Sequence, residues 1–287
     1  MINESMMDNL DIDWIKNRLK INGINICTLY YAETGSTNED AAREIKKMDF
    51  LKNALDGILV IADKQNSGRG RKGRSFFSPE GTGLYMSLAV PYSEELIKTV
   101  KVTSIAAVAV AEAIDELIFE NKNVTGIKWV NDIYIYEKKI CGILTEAFMP
   151  EKERAGGVVI GIGINVYEPL CGIPNDLKNK AGYILTKEAG EINILKYEHG
   201  LRNSLAVSII RKLLGYIRIN ENYYDIYKQK SILIGKYVYI NSYKDDNNNE
   251  TALVMDIDPE CRLAVQYDDG SIEALSSGEV SVVKKQM

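Results

Sequence analysis

The sequence has 287 residues, 46% of them apolar, which is enough for one large domain or two modest ones with a hydrophobic core. Lys and Arg number 35 against 40 Asp and Glu, a net charge of −5, whereas proteins devoted to duplex nucleic acid usually carry a basic excess. No apolar run approaches the roughly 18–20 residues that cross a bilayer, and the acidic N-terminus does not resemble a signal peptide. We therefore predict a soluble, cytoplasmic protein that binds neither DNA nor a membrane.

Cysteine and histidine are too few and too scattered for most metal or nucleophile chemistry. The cysteines Cys27, Cys141, Cys171 and Cys261 form no C-x-x-C pair, which indicates free, mostly buried thiols and no zinc site. His199 is the only histidine, and its polar neighbours indicate an exposed imidazole. An enzyme of this composition would use a nucleophile of its substrate and stabilise charge electrostatically.

Hydrophobic periodicity predicts an α+β domain in which strands cluster around hairpins and only two or three helices are long. The first part is predicted to contain a helix at 10–20, a strand at 24–31, a turn and helix at 33–47, strands at 57–62 and 84–90, and a long helix at 93–120. It continues with a strand at 126–130, a hairpin at 133–146, a strand at 156–165, and a helix that carries Leu201, Leu205, Ile209 and Leu213 at steps of four.

The pattern changes near Gly235, where short strands separated by Asp, Asn and Gly begin. Five of these strands, in about fifty residues, fit a small SH3-like barrel: 236–240, 252–257, 263–267, 271–275 and 280–283. We therefore predict a larger domain at 1–230, a hinge at 229–234, and a barrel domain at 235–287.

The most informative motif is Gly68-Arg-Gly-Arg-Lys-Gly-Arg74, which combines four cations with three glycines. Glycine lets backbone N–H groups approach an anion, and arginine donates paired hydrogen bonds to carboxylate or phosphate oxygens. A basic surface loop or a weak nucleic-acid patch is the alternative, but the motif follows a buried strand and precedes Phe76-Phe77, which places it in a folded core. Because the cations repel one another, we expect the loop to be mobile until an anionic ligand binds.

Four further polar motifs each have an ordinary structural explanation when taken alone. They are a capping box at Ser36–Glu39, turn residues at Asn131–Asp132, a hairpin tip at Lys138–Lys139 and a loop start at Asn165.

In their order along the chain, the motifs closely resemble the catalytic domain of biotin protein ligases. The five that carry the resemblance are Ser36-Thr37-Asn38, Gln65 with the 68–74 loop, Lys128-Trp-Val-Asn-Asp132, Lys139-Ile-Cys-Gly-Ile-Leu-Thr-Glu146 and Gly161-Ile-Gly-Ile-Asn165. The resemblance covers about residues 24–285, including the C-terminal barrel. It implies a mixed sheet of the class II synthetase-like kind and the activity of a biotin–[acetyl-CoA-carboxylase] ligase.

That activity makes biotinyl-5′-AMP and pyrophosphate from biotin and MgATP, and then biotinylates a lysine of a biotin carboxyl carrier domain. By resemblance, the catalytic residues are Lys139 and Arg71. The biotin-binding residues are Ser36, Thr37, Asn38, Gln65, Gly68, Arg69, Gly70, Arg71 and Lys139. The nucleotide-binding residues are Arg71, Arg74, Phe76, Lys128, Asn131, Asp132 and Asn165. Mg²⁺ is expected with ATP, without a dedicated metal site.

Two positions depart from the family pattern. Val130 stands where proline is usual, so we expect a less rigid turn, and Phe76 stands where tryptophan is usual, so we expect weaker stacking on adenine.

Two other functions are open as alternatives. A lipoate–protein ligase is the nearest alternative, and a plain nucleic-acid-binding module is another. A biotin-operon repressor would need a winged helix-turn-helix, for which the 23 residues before the first predicted strand are too few. The oligomeric state, a homodimer included, is left open.

Overall fold

A computed structural model describes residues 7–47, 55–91, 99–148, 157–185, 197–219, 222–241 and 249–283. The α-helices in these ranges are α1 Ile12–Ile21, α2 Thr37–Ile45, α3 Thr99–Phe119, α4 Leu201–Ile219 and α5 Tyr223–Gln229. The strands of the first part are β1 Ile26–Thr34, β2 Gly57–Gln65, β3 Gly83–Pro91, β4 Thr125–Lys128, β5 Asp132–Ile135, β6 Lys138–Phe148 and β7 Gly157–Asn165. Those of the last part are β8 Tyr237–Asn241, β9 Asn249–Ile257, β10 Leu263–Tyr267, β11 Ile272–Leu275 and β12 Glu279–Val282.

Strands β1 to β7 form one mixed sheet in the order β1-β2-β3-β7-β6-β5-β4. Strands β1 and β2 are parallel, and the other neighbouring pairs of these seven strands are antiparallel. Side chains alternate between the two faces of a strand, so Ile58 and Val60 of β2 pack with α2, whereas Leu59 and Ile61 belong to the larger core with α3 and α4. Helices on both faces explain why β2 is a continuous apolar run. The predicted α+β class is confirmed.

Strands β8 to β12 form a separate antiparallel sheet in the order β11-β10-β9-β8-β12, as expected of a small SH3-like barrel. This sheet is docked on the first part of the chain. The indole Nε1 of Trp129 donates to the carbonyl of Cys261 at 2.9 Å, in a buried position. The Tyr224 hydroxyl donates to the carbonyl of Ile257 at 2.7 Å. The two parts therefore share buried contacts.

The segment 229–234 is not the free hinge that the sequence suggested. The Ile127 N–H donates to the Lys230 carbonyl at 2.7 Å, and the Ile232 N–H donates to the Ile127 carbonyl at 3.0 Å, so the segment continues the sheet beyond β4. Lys230 also pairs with Asp115 at 2.5 Å, with both side chains only 7% exposed. Its partners lie about a hundred residues upstream, which a local pattern cannot reveal. The division into 1–230 and 235–287 stays a prediction.

A buried arginine fixes the segment ahead of α1. Arg202, at the start of α4, is 1% exposed and pairs with Asp8 at 3.0 Å and with Asp63 of β2 at 2.6 Å. The Tyr167 hydroxyl donates to the same Asp8 carboxylate at 2.9 Å. Two carboxylates compensate a charge that would be costly to bury alone. The N-terminal segment is therefore held against the end of β2.

The positions of the helices, strands and cysteines can be compared directly with the sequence predictions. Most elements lie where they were predicted, but α5 was missed, and residues 93–98 of the predicted long helix lie outside the described part. None of the helices in the described ranges combines the length and hydropathy that spanning a bilayer requires. Cys141 and Cys261 are buried, Cys27 is partly buried and Cys171 is exposed.

Candidate active site

The start of α2 meets the end of β2 through a side chain of the sheet. The Gln65 Oε1 accepts hydrogen bonds from the Thr37 N–H at 2.9 Å and from the Thr37 hydroxyl at 3.1 Å. The Gln65 Nε2 donates to the Ser78 hydroxyl at 3.0 Å. Gln65 thus satisfies the N–H of Thr37, the first helical residue, whereas the Ser36 side chain makes no capping bond. The predicted capping box is therefore wrong: Ser36 is the N-cap by position only.

Asn38 forms the inner wall of the same region. Its Nδ2 donates to the Leu144 carbonyl at 3.2 Å and to the Glu146 carboxylate at 2.8 Å. The Ser87 hydroxyl, fully buried on β3, lies 2.6 Å from Asn38 Oδ1 and 2.7 Å from Thr37 Oγ1. These contacts fix the rotamers of Thr37 and Asn38. The sequence analysis missed Ser87, because a serine inside an apolar strand carries no signal of its own.

Glycines of β6 and β7 form the floor. Gly142 and Gly163 lie opposite each other in the sheet. A Cβ on Gly161 would lie 2.0 Å from Asn38 Oδ1, and a Cβ on Gly163 would lie 2.7 Å from the Phe76 ring. Side chains are excluded here because another group approaches the backbone closely, which is what glycine inside a strand often indicates. The spacing G-x-G in β7 was the available signal for these residues.

These groups line an open cleft, which we call the polar cleft; its free space is about 320 Å³ when the solvent at its open side is counted. Its lining includes Ser36, Thr37, Asn38, Gln65, Arg69, Phe76, Gly142, Leu144, Gly161, Ile162 and Gly163. Five of the nine predicted biotin-binding residues, from two segments of the chain, thus converge here. Gly70, Arg71 and Lys139 line a neighbouring cleft, and Gly68 lines neither. A Cβ on Gly68 would lie 2.4 Å from the Phe76 carbonyl, so its role is to allow the loop to turn.

A second, larger cleft adjoins the first, with about 920 Å³ of free space counted in the same way, and we call it the basic cleft. The two share Arg69, Phe76, Gly142 and Leu144. Among the lining residues are five cations and a single carboxylate: Arg69, Arg71, Arg74, Lys128, Lys139 and Asp132. Gly278, Val280 and Ser281 of the C-terminal sheet complete it. A concave surface with this charge balance is suited to a polyanion.

The glycine–arginine loop is held by several partners. Arg71 donates to Asn131 Oδ1 at 3.1 Å and to the Gly278 carbonyl at 3.2 Å. The Gly70 N–H donates to the Arg74 carbonyl at 2.7 Å, which closes the turn. Arg69 is paired with carboxylates of α2 and β6. These two carboxylates partly offset the repulsion among the loop cations that the sequence predicts. The mobility of the ligand-free loop stays a prediction.

Lys139 and Lys138 point in opposite directions, as neighbours on a strand must. Lys139 Nζ lies 2.6 Å from Asp132 Oδ1 in the basic cleft, whereas Lys138 Nζ donates to the Lys178 carbonyl at 3.3 Å on the outside. The backbone of Lys139 is bonded on both sides, to the Lys180 carbonyl at 3.0 Å and to the Gly182 N–H at 2.7 Å. The ammonium therefore projects from a fixed backbone.

Asn165 does not line either cleft. Its Nδ2 donates to the Gly182 carbonyl at 3.0 Å, and its carbonyl accepts from the Ile184 N–H at 3.1 Å. The nucleotide contact of Asn165 stays a prediction. Asn165 instead supports the segment that fixes the backbone of Lys139.

The turn that carries Val130 is firmly held, contrary to expectation. Asn131 exchanges two hydrogen bonds with the backbone of Ile143, at 2.8 and 2.9 Å. The Tyr227 hydroxyl donates to the Val130 carbonyl at 3.2 Å. These contacts replace the rigidity that a proline would supply. Phe76 packs its ring edge-to-face on Tyr85, with centroids 6.4 Å apart, at the floor shared by both clefts.

The ionisable groups that the structure describes near the clefts do not include an activated nucleophile. Burial raises the pKa of the Cys141 thiol, which stays protonated at neutral pH. Burial, with the Asp132 carboxylate nearby, raises the pKa of Tyr134 to about 12. His199 stacks on Trp14 with centroids 5.0 Å apart, 3.2 Å from Asp11, and lines neither cleft. This arrangement supports the expectation that the nucleophile comes from the substrate.

Two protein-family models match this chain in order. One describes the biotin/lipoate A/B protein ligase family and matches residues 33–165; the other describes the biotin protein ligase C-terminal domain and matches residues 234–283. Together they cover more than half of the chain, and the second match is specific to biotin. The chain belongs to the biotin protein ligase family. The C-terminal match also weakens the lipoate-ligase alternative.

Curated relatives of the family match parts of the chain. It is 43% identical to the bifunctional ligase/repressor BirA of Bacillus subtilis over 163 aligned residues. The alignment covers 57% of this chain and 47% of that protein. It is 28% identical over 255 residues to the biotin–[acetyl-CoA-carboxylase] ligase of Mycobacterium tuberculosis, which covers 87% and 86%. The chain thus spans about half the length of the first curated relatives that it matches. The absence of repressor activity stays a prediction.

The fold agrees with solved structures of the family. The biotin protein ligase from Aquifex aeolicus in complex with biotin and ATP superposes with a TM-score of 0.66 at 23% identity, over 91% of this chain and 99% of that chain. At this identity, the match establishes the fold.

Proposed function

We propose that this protein activates biotin with ATP to biotinyl-5′-AMP and transfers the biotinyl group to a lysine of a biotin carboxyl carrier domain of the acetyl-CoA carboxylase type. The observation that carries the proposal is the continuity of the two clefts. A cleft lined mostly by uncharged groups opens directly into a basic one, so a ligand with a neutral head and an anionic tail can span both. The names of the relatives support the same chemistry.

The polar cleft suits the ureido ring of biotin. That ring presents a carbonyl acceptor and two N–H donors. The hydroxyl and amide groups of Ser36, Thr37 and Asn38 include both donors and acceptors that can pair with it. The positions of Thr37 and Asn38 are fixed before any ligand arrives, because Gln65 and Ser87 already hold them. Preorganised polar groups lower the entropy cost of binding.

The basic cleft suits ATP and the developing adenylate. One oxygen of the biotin carboxylate attacks the α-phosphorus, a P–O bond to the leaving pyrophosphate breaks, and negative charge develops at the α-phosphate. Lys139 and Arg71 would stabilise this charge, while Arg74, Lys128 and Asn131 would hold the nucleotide. Phe76 would face the adenylate from the shared floor. Mg²⁺ would arrive with ATP, held through phosphate oxygens, while Asp132, the carboxylate in this lining, lies 2.6 Å from Lys139 Nζ and would orient that ammonium.

In the second step, the ε-amine of the acceptor lysine attacks the acyl carbon, an amide bond forms and AMP leaves. The same cations would stabilise the departing phosphate. No nucleophile of the enzyme is needed in either step.

Pyrophosphate release tests the proposal. The protein is incubated with ATP and Mg²⁺, together with biotin, with lipoate or with neither. Release that depends on biotin, followed by a mass gain of one biotinyl group on an added carrier domain, is expected. Release with lipoate alone would transfer the assignment to lipoate ligation, and no release with either compound would refute an adenylating activity.

A further inference from the structure

Arg69 in the glycine–arginine loop lies between carboxylates from two distant elements. Its Nη1 lies 3.3 Å from Glu39 Oε1 on α2, and its Nη2 contacts Glu146 Oε1 on β6. The loop is thereby tied to both sides of the polar cleft, which lies between α2 and β6. Neither glutamate was among the predicted site residues.

Glu146 extends this contact into the wall of the polar cleft. While one carboxylate oxygen contacts Arg69, the other accepts the hydrogen bond from Asn38 at 2.8 Å. Loop position and Asn38 orientation are therefore linked through a single carboxylate. Arg71 differs, because its hydrogen-bond partners, Asn131 and the Gly278 carbonyl, are uncharged. The charge of Arg71 is available to an anion in the basic cleft, whereas the charge of Arg69 is already compensated.

We propose that Glu39 and Glu146 form a clasp with Arg69 that closes the loop over the polar cleft and retains the reaction intermediate there. Glu146 is a positioning residue in this view, since it acts through Arg69 and Asn38. The proposal rests on the proposed function, because retention has a purpose only if a reactive adenylate forms in the cleft.

The exposure of the clasp determines how strongly it acts. The side chains of Arg69, Glu39 and Glu146 are 40%, 60% and 36% exposed. Ion pairs this open to solvent contribute little and are screened by salt. The clasp therefore biases the loop towards closure without locking it, so substrate can enter and the acceptor can reach the intermediate. Loss of the clasp should increase the fraction of molecules with an open loop by about threefold to tenfold.

The first test needs no ligand and no activity. Trypsin cleavage between Arg71 and Arg74 is timed in the unliganded wild type and in Glu39→Gln/Glu146→Gln. The double substitution removes both charges, while the amide oxygen that it places at position 146 can still accept from Asn38. We expect cleavage to be about threefold to tenfold faster in the double variant. Glu116→Gln is the matched control, because Glu116 is similarly exposed and pairs with Lys212 at 2.9 Å far from the clefts. Equal cleavage in all three proteins overturns the clasp.

The second test measures retention. Biotinyl-5′-AMP is formed on the protein from radiolabelled biotin and ATP, and its dissociation is followed at low and at high salt, about 50 and about 500 mM, across which the Debye length falls severalfold. Salt should accelerate release from all three proteins, because it also screens the cations of the basic cleft that hold the phosphate; release from the double variant should be faster at low salt and should increase less with salt than release from the wild type and Glu116→Gln. The same salt dependence in all proteins overturns the clasp. If the wild type makes no adenylate, the proposed function fails instead, and the cleavage test still decides whether the clasp exists.

Discussion

Lys139→Ala separates catalysis from structure, because the two roles of this ammonium differ in magnitude. The structural role is its pair with Asp132 at 2.6 Å, in which the side chains are 33% and 21% exposed. Partly solvated pairs contribute about 0.2–1 kcal/mol to stability, so the variant should fold and lose at most a few degrees in Tm. In contrast, removing one preorganised charge donor from a reaction centre typically costs about 10²–10³ in rate, or roughly 3–4 kcal/mol.

The assay is single-turnover pyrophosphate release with saturating biotin and ATP, followed separately by transfer from pre-formed adenylate. We expect Lys139→Ala to slow the first step by at least about a hundredfold. Lys138→Ala is the matched control: it removes an equal charge one residue away, but the Lys138 Nζ donates to the Lys178 carbonyl and does not line the cleft. Wild-type rates in both variants would show that Lys139 is a surface charge. A loss of equal size in both would show that the effect is not positional.

Three further predictions follow from contacts in the structure. Gly161→Ala should raise the KM for biotin about tenfold or more, because its Cβ would lie 2.0 Å from Asn38 Oδ1, whereas Gly215→Ala, in open space on α4, should not. Trp129→Phe removes the bond to the Cys261 carbonyl and should lower the free energy of unfolding by about 1–3 kcal/mol, as chemical denaturation would show. Iodoacetamide should label Cys171 first; because burial raises the pKa of Cys141, that thiol should resist labelling even as the pH is raised towards about 9, until the protein unfolds.

Much of the fold could be predicted because its signals are local. The apolar run in β2, the periodic helices and the turn-separated strands of the last fifty residues all appear as expected. Helix α5 was missed because its seven residues, Tyr223–Gln229, are too few to establish a period. The segment 229–234 was misinterpreted because its partner is Ile127, far upstream in the sequence.

In the candidate active site, too, contacts between residues far apart in the sequence could not be predicted. Strand alternation places Gly161, Gly163 and Asn165 on one face of β7, and the first two indeed form the floor of the polar cleft. Asn165, on the same face, lines neither cleft, because its amide is bonded to the Gly182 carbonyl, and the local sequence gives no sign of that partner. Likewise, repulsion within the glycine–arginine loop was evident from the sequence, whereas the carboxylates of Glu39 and Glu146 that offset it come from elsewhere in the fold.

The buried ion cluster of Arg202 has a consequence for how small a working unit can be. The family match begins at residue 33, yet Asp8 supplies one of the two carboxylates that keep Arg202 stable inside the catalytic half. A shortened chain that begins at the family match would leave that guanidinium paired with Asp63 alone, two residues from Gln65. A stable catalytic unit therefore needs the residues around Asp8, although all five motifs lie after residue 33.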